Sequence, residues 1–160
     1  MKIENIQKAI ETYCASHLPK CKQIYLGDNI PQEQIAAHKK HYAPMSDDEK
    51  VLLLVDKIPM GWRGSFFMGL CITDRFVYYK LMKDTFFAPY QKKIKGVMPI
   101  ENVTSIDIGS DDHAIGTNYE GHQLFINGSV IGLLKMGNGF SEVENMVAQL
   151  RQLFKNFTNE

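Results

Sequence analysis

The chain has 160 residues, of which 44% are hydrophobic, with 18 basic and 18 acidic side chains that cancel. That length holds one ordinary domain, or one domain with a helical appendage, and the apolar content argues for a packed core and against disorder. The charge balance excludes a global pull toward nucleic acid or an anionic membrane, so any such affinity needs a local patch.

Residues 3–18 place Ile3, Ile6, Ile10, Tyr13, Cys14 and Leu18 at helical spacing, one apolar stripe that Pro19 stops. Gly27-Asp28-Asn29 is a turn signal. Pro31 then suits the first position of a second helix, with Ile35, His38 and Tyr42 on one face and Pro44 at its end. Short helices are marginal alone, so both must pack on each other, on the rest of the chain or on a partner. Residues 1–45 are thus expected as a helical N-terminal extension, and residues 46–160 as a β-domain with a C-terminal helix. At the boundary, Ser46-Asp47-Asp48-Glu49 has capping-box spacing and reads as a helix or turn cap rather than a cation site.

From Val51 onward the texture is β-rich. Strands are expected at Val51–Ile58, Phe66–Ile72, Phe76–Leu81, Ile94–Ile100, Val103–Ile108, His122–Ile126 and Ser129–Met136. Thr73-Asp74-Arg75 makes a tight turn between the second and third of these. Asn127-Gly128 joins the last two, the pair that best tolerates the two positive φ angles of a type I′ hairpin. A final helix is capped by Ser141 with Glu144 completing a capping box. It carries Val143, Met146, Val147, Leu150, Phe154 and Phe157 on one wide apolar face, which must lie on the β-domain.

The segment from Gly69 to Tyr79 comprises an apolar strand, a Thr-x-Arg turn and an aromatic strand. With Met98–Ile106, the Asn127-Gly128 hairpin and the closing helix, it resembles the pleckstrin-homology-like superfold, in particular bacterial versions and GRAM-type domains. The resemblance covers about residues 50–157. It implies an α+β fold: a seven-stranded antiparallel β-barrel or sandwich capped by a C-terminal helix, here preceded by two short helices. It also implies a scaffold that serves lipid head groups, phosphopeptides, proline-rich peptides or plain protein docking. In lipid-binding members, basic residues around the first inter-strand loop hold phosphates. Here that loop, 59–64, has the single arginine Arg63 and no lysine beyond Lys57 nearby, which departs from that pattern.

The candidate contact residues fall in two groups. Lys80, Lys83, Lys92, Lys93 and Lys95 surround the third-to-fourth strand connection, with Phe86 and Phe87 among them. Basic and aromatic residues interleaved in this way suit an anionic membrane surface or a single nucleic-acid strand; the plainer reading is a strand edge guarded by lysines. Trp62 and Arg63 stand between glycines in a loop, as binding hot spots often do, or else Trp62 folds over the core. His38 and His41 stand three apart on a helix but lack the neighbouring ligands a metal needs, and Asp111-Asp112-His113, which could suggest a cation or acid–base site, falls in a loop between strands and reads as a turn.

No GxSxG, Walker, GxGxxG or HExxH motif is present, and Cys71 falls in a strand as a core residue. Cys14, Cys21 and Cys71 are odd in number and form no CxxC pair, which argues against zinc-ribbon, redox and disulfide frameworks and for a reducing compartment. The first residues lack a signal-peptide apolar run, and no stretch nears the ~18 apolar residues of a membrane span. The expectation is a cytoplasmic, non-enzymatic interaction module without cofactor or metal, docking a protein partner. Its N-terminal helices could form a second contact surface or a homodimer seam. The alternative is a peripheral binder of anionic lipid or another anionic ligand through the Lys80–Lys95 region. Nucleic acid is not an expected partner.

Overall fold

The computed structural model describes residues 1–16, 21–55, 68–82, 93–109, 122–135 and 141–158. The chain is α+β. Helix α1 (Ile3–Ala15) buries Ile6, Ala9, Ile10 and Tyr13, and Ser16 closes it by donating both its amide and its hydroxyl to the Tyr13 carbonyl. Cys14, expected on that stripe, is exposed, because the next helical step from Tyr13 rotates it off the buried face. A short strand β1 (Ile24–Leu26) follows, then a 3₁₀ turn, Gly27–Asn29, and helix α2 (Gln32–His41), with Pro31 immediately before its first residue.

Strands β2 (Val51–Val55), β3 (Gly69–Thr73), β4 (Phe76–Met82) and β5 (Lys93–Pro99) join β1 in a five-stranded antiparallel sheet, ordered as in the chain. Strands β6 (Ile106–Ile108), β7 (His122–Ile126) and β8 (Ser129–Lys135) form a three-stranded antiparallel sheet. Helix α3 (Ser141–Lys155) closes the chain. Among the described residues the two sheets meet at one pair, Met82 with Leu133. β5 already occupies one edge of β4 at Met82, so β8 joins the other edge, beyond the start of β3.

Two features differ from the expected seven strands and closed barrel. Among the described residues the sheets do not close, since β1, β5 and β6 each pair on one side only. Moreover, residues 24–26 add a strand where a purely helical extension was expected. The fifth expected strand is also shorter, beginning at Ile106 rather than Val103. Asn127 is the reason: its Oδ1 accepts from the Thr104 amide at 2.7 Å and the Ser105 amide at 3.4 Å, so a side chain meets their hydrogen-bonding needs. Its Nδ2 donates to the Asn102 carbonyl at 2.8 Å. Asn127 and Gly128 have φ of 54° and 74°, the left-handed pair that the turn residues foretell.

Register sorts the five-stranded sheet into rows. Leu26, Leu53, Ile72, Val77 and Met98 lie opposite one another on the inner face. That face packs on α1, α3 and the smaller sheet in one cluster with Ile6, Leu124, Leu150 and Phe154. The outer row is Tyr25, Leu54, Cys71, Tyr78 and Val97. A second cluster forms there, in which Ile30, Tyr42, Ala43 and Met45 cover Leu54, Cys71 and Tyr78. β2 is therefore buried on both faces, which explains its unbroken apolar run. A register shift between Val51 and Leu53 lets consecutive Leu52 and Leu53 both join the inner cluster. Residues 1–45 thus share both cores and the sheet with the rest of the chain.

Candidate binding face

The outer face is half covered and half open, and the residues of the rows decide where the cover ends. On the covered side His38 is fully buried, its Nδ1 2.6 Å from the Tyr42 hydroxyl, and both lie over Gly69. A Cβ at Gly69 would stand 3.0 Å from the His38 ring and from the Tyr42 hydroxyl, and 2.4 Å from the Val55 carbonyl oxygen. Glycine is required there for the α2 layer to sit down on β3.

A carboxylate ties down the end of that cover. Glu49 accepts from the Tyr78 hydroxyl at 3.0 Å, the Thr73 hydroxyl at 2.9 Å and the Ser46 amide at 2.9 Å. The 46–49 segment is therefore a bonded turn, as its capping spacing implied. Burial, then the Glu49 hydrogen bond and charge, push the Tyr78 phenol above its usual range. Burial first, and Glu49 second, push the Cys71 thiol up to about 12. The flanking charges on this side are paired: Lys39 with Asp47, Lys50 with Asp28 and Arg75 with Asp48. A cleft of 460 Å³ between α2 and residues 45–51 is lined by the first two of these pairs, whose charges satisfy one another, and by Glu49, whose oxygens are taken by the hydroxyl and amide donors above.

Beyond Gly69 the row continues to Lys80 on β4 and Lys95 on β5, directly opposite each other. In the neighbouring rows of the same face, Met82 opposes Lys93, and buried Tyr78 opposes Val97. Lys93 and Lys95 are exposed, Lys80 is half-buried and Val97 is 55% exposed, the most open large apolar side chain described. Partial desolvation, then the charge of Lys80, lower the pKa of Lys93. Among the described residues Lys80 and Lys95 make no ion pair. On the inner face of this strand pair Tyr79 of β4 lies across Gly96 of β5, its hydroxyl 2.3 Å from where a Cβ would be, and fills the space a side chain would take.

Of the nine candidate contact residues, Lys80, Lys93 and Lys95 are brought to one face. Trp62, Arg63, Lys83, Phe86, Phe87 and Lys92 lie outside the described residues, as do Asp111, Asp112 and His113. Val97 was not among the candidates, although its place in the alternation Lys93, Lys95, Val97 is visible in the sequence. His38 belongs to the core and His41 is exposed; among the described residues no three His, Cys, Asp or Glu side chains gather as a metal site. The apolar stripe of α1, expected as a docking or dimer seam, is buried within the chain's own core. No helix among the described residues is long and apolar enough to cross a membrane. The chain matches no family profile, no curated protein and no solved structure.

Proposed function

We propose that this chain is a non-enzymatic, cytoplasmic binding module of pleckstrin-homology-like build that docks an acidic protein partner on the outer face of β4 and β5. The observation that carries the reading is the opposed pair Lys80 and Lys95, with Lys93 on the diagonal and Val97 exposed beside them. Like charges directly opposite across a ladder destabilise a sheet. Guarding an edge strand with lysine accounts for Lys93 and Lys95 but not for Lys80, which sits on an interior strand. A partner that supplies carboxylates turns the repulsion into attraction. An exposed valine within a patch of cations suits a protein surface, with an apolar centre and a polar rim.

A four-stranded meander (β2 to β5), three further strands and a closing helix support the pleckstrin-homology-like reading, with β1 as an addition to it. Three free thiols fit a reducing compartment.

The test compares the wild type with Lys80→Glu and Lys95→Glu. Binding of fluorescent poly-glutamate is measured at low and high salt, and vesicles containing phosphatidylserine are assayed by sedimentation. The expected result is poly-glutamate binding that weakens with salt and is lost in both variants. Unchanged binding in the variants removes this face from the function. Vesicle binding without poly-glutamate binding replaces the acidic protein with an anionic membrane.

A further inference from the structure

We infer that the partner docks as an extended acidic strand added to the edge of β5 that is unpaired among the described residues, an inference that rests on the binding face proposed above. Among the described residues three strands pair on one side only, while β8 is engaged on its second side by β4 at a single pair; the three are not alike. β1 and β6 have 3 residues each, whereas β5 has 7. A long unpaired edge presents a row of backbone donors and acceptors that can take another strand; natural sheets shorten such edges or guard them with charge, and the lysines of β5 guard this one against its own copies while leaving it open to a strand that carries carboxylates.

The side chains of β5 choose the occupant. A second copy of β5 laid along this edge would bring Lys93 and Lys95 against their equivalents, so self-pairing is opposed. A strand with carboxylates at alternate positions meets those lysines on the outer face. The same strand gains the charge of Lys80, one strand further in and opposite Lys95. Val97 then calls for an apolar residue two positions on, again on the outer face. The intervening residues of the incoming strand lie beside Ile94, Gly96 and Met98 on the inner face, where Ile94 and Met98 are partly buried against the main core. Tyr79 already covers Gly96 there, so small or apolar side chains fit. The recognised sequence is therefore an alternation, acid–x–acid–x–apolar, over a segment no longer than the 7 residues of β5.

The test uses the full chain and short labelled peptides read by fluorescence anisotropy. One peptide carries Glu-Thr-Glu-Thr-Val, in either direction; a second has the same composition with the two glutamates adjacent. Two further peptides carry N-methyl groups on alternate backbone amides, one on the odd and one on the even positions. An added strand directs every second amide at its neighbour, so one methylated set should lose about tenfold in affinity or more while the other changes little. The alternating peptide should bind more tightly than the adjacent-acid peptide, and Val97→Lys should weaken it. In hydrogen exchange, alternate β5 amides should gain protection on binding. Equal binding by all four peptides, with salt sensitivity retained, overturns strand addition and leaves the acidic-face reading intact. No binding by any of them, or by poly-glutamate, overturns both.

Discussion

If Lys80 and Lys95 oppose each other for the sake of a partner, the free protein should be more stable without the repulsion. Lys95→Glu is the sharpest perturbation. Opposite Cβ atoms in an antiparallel pair lie about 5 Å apart, and the long side chains can splay to about 7 Å between charges. At that distance in water two unit charges interact by about 0.6 kcal/mol, falling to roughly half at physiological salt. The substitution removes a repulsion and installs an attraction of similar size, a gain of about 1 kcal/mol at low salt. For a chain of 160 residues this raises Tm by about 2–4 °C. The same substitution should abolish binding of acidic peptide. The assay is thermal denaturation by circular dichroism at 10 mM and 1 M salt, with anisotropy titrations on the same samples. The stability gain should vanish at about 1 M salt, where screening acts within ~3 Å. A variant that melts at or below the wild type at low salt would refute the opposed placement of the two ammonium groups. A stabilised variant that binds as well as the wild type would refute the link between that repulsion and function.

The Asn127 turn should separate backbone from side-chain contributions: Asn127→Gly loses the bonds to residues 102–105, whereas Asn127→Ala also forces alanine into a left-handed φ. Urea unfolding should show about 1–2 kcal/mol lost for the glycine and about 1 kcal/mol more for the alanine, and equal losses would contradict the turn geometry. Gly69→Ala should cost more than either, because the new methyl group meets the Val55 carbonyl oxygen; a near-neutral melt would mean α2 does not sit on β3 as described. Native iodoacetamide labelling near pH 8 should modify Cys14 alone, with three adducts after unfolding, as read by mass spectrometry. Burial of Cys71 also sets a pH dependence: its folded pKa, about 12, exceeds the unfolded value of ~8.5, so its contribution is fully present below pH ~8.5 and is lost as pH rises toward 12. The raised Tyr78 acts in the same direction, so the urea midpoint should fall through this alkaline window, less steeply in Cys71→Ala. A fall as steep in that variant would place the titrating group elsewhere.

Much of this protein is written in local chemistry. Asn127-Gly128 specifies its hairpin because few residues accept two consecutive positive φ angles. Thr73 specifies the β3–β4 turn because its hydroxyl accepts from the Arg75 and Phe76 amides within reach of its own backbone. The apolar spacing of α1 and α3, and the alternation that sets Lys93, Lys95 and Val97 on one side of β5, follow from the two backbone periods alone. What depends on residues far apart in the chain could not be read this way. β1 is 3 residues with no pattern of its own, and it is a strand because β2 offers it an edge. β6 is cut short by a side chain more than twenty positions away. His38 is buried because Gly69 leaves room for it, whereas Lys80, opposite Gly69 on the next strand, is only half-buried because no residue of α2 is packed over it. Periodicity says which residues share a face; whether that face meets protein or water depends on what the rest of the chain lays over it, and that is settled only by packing.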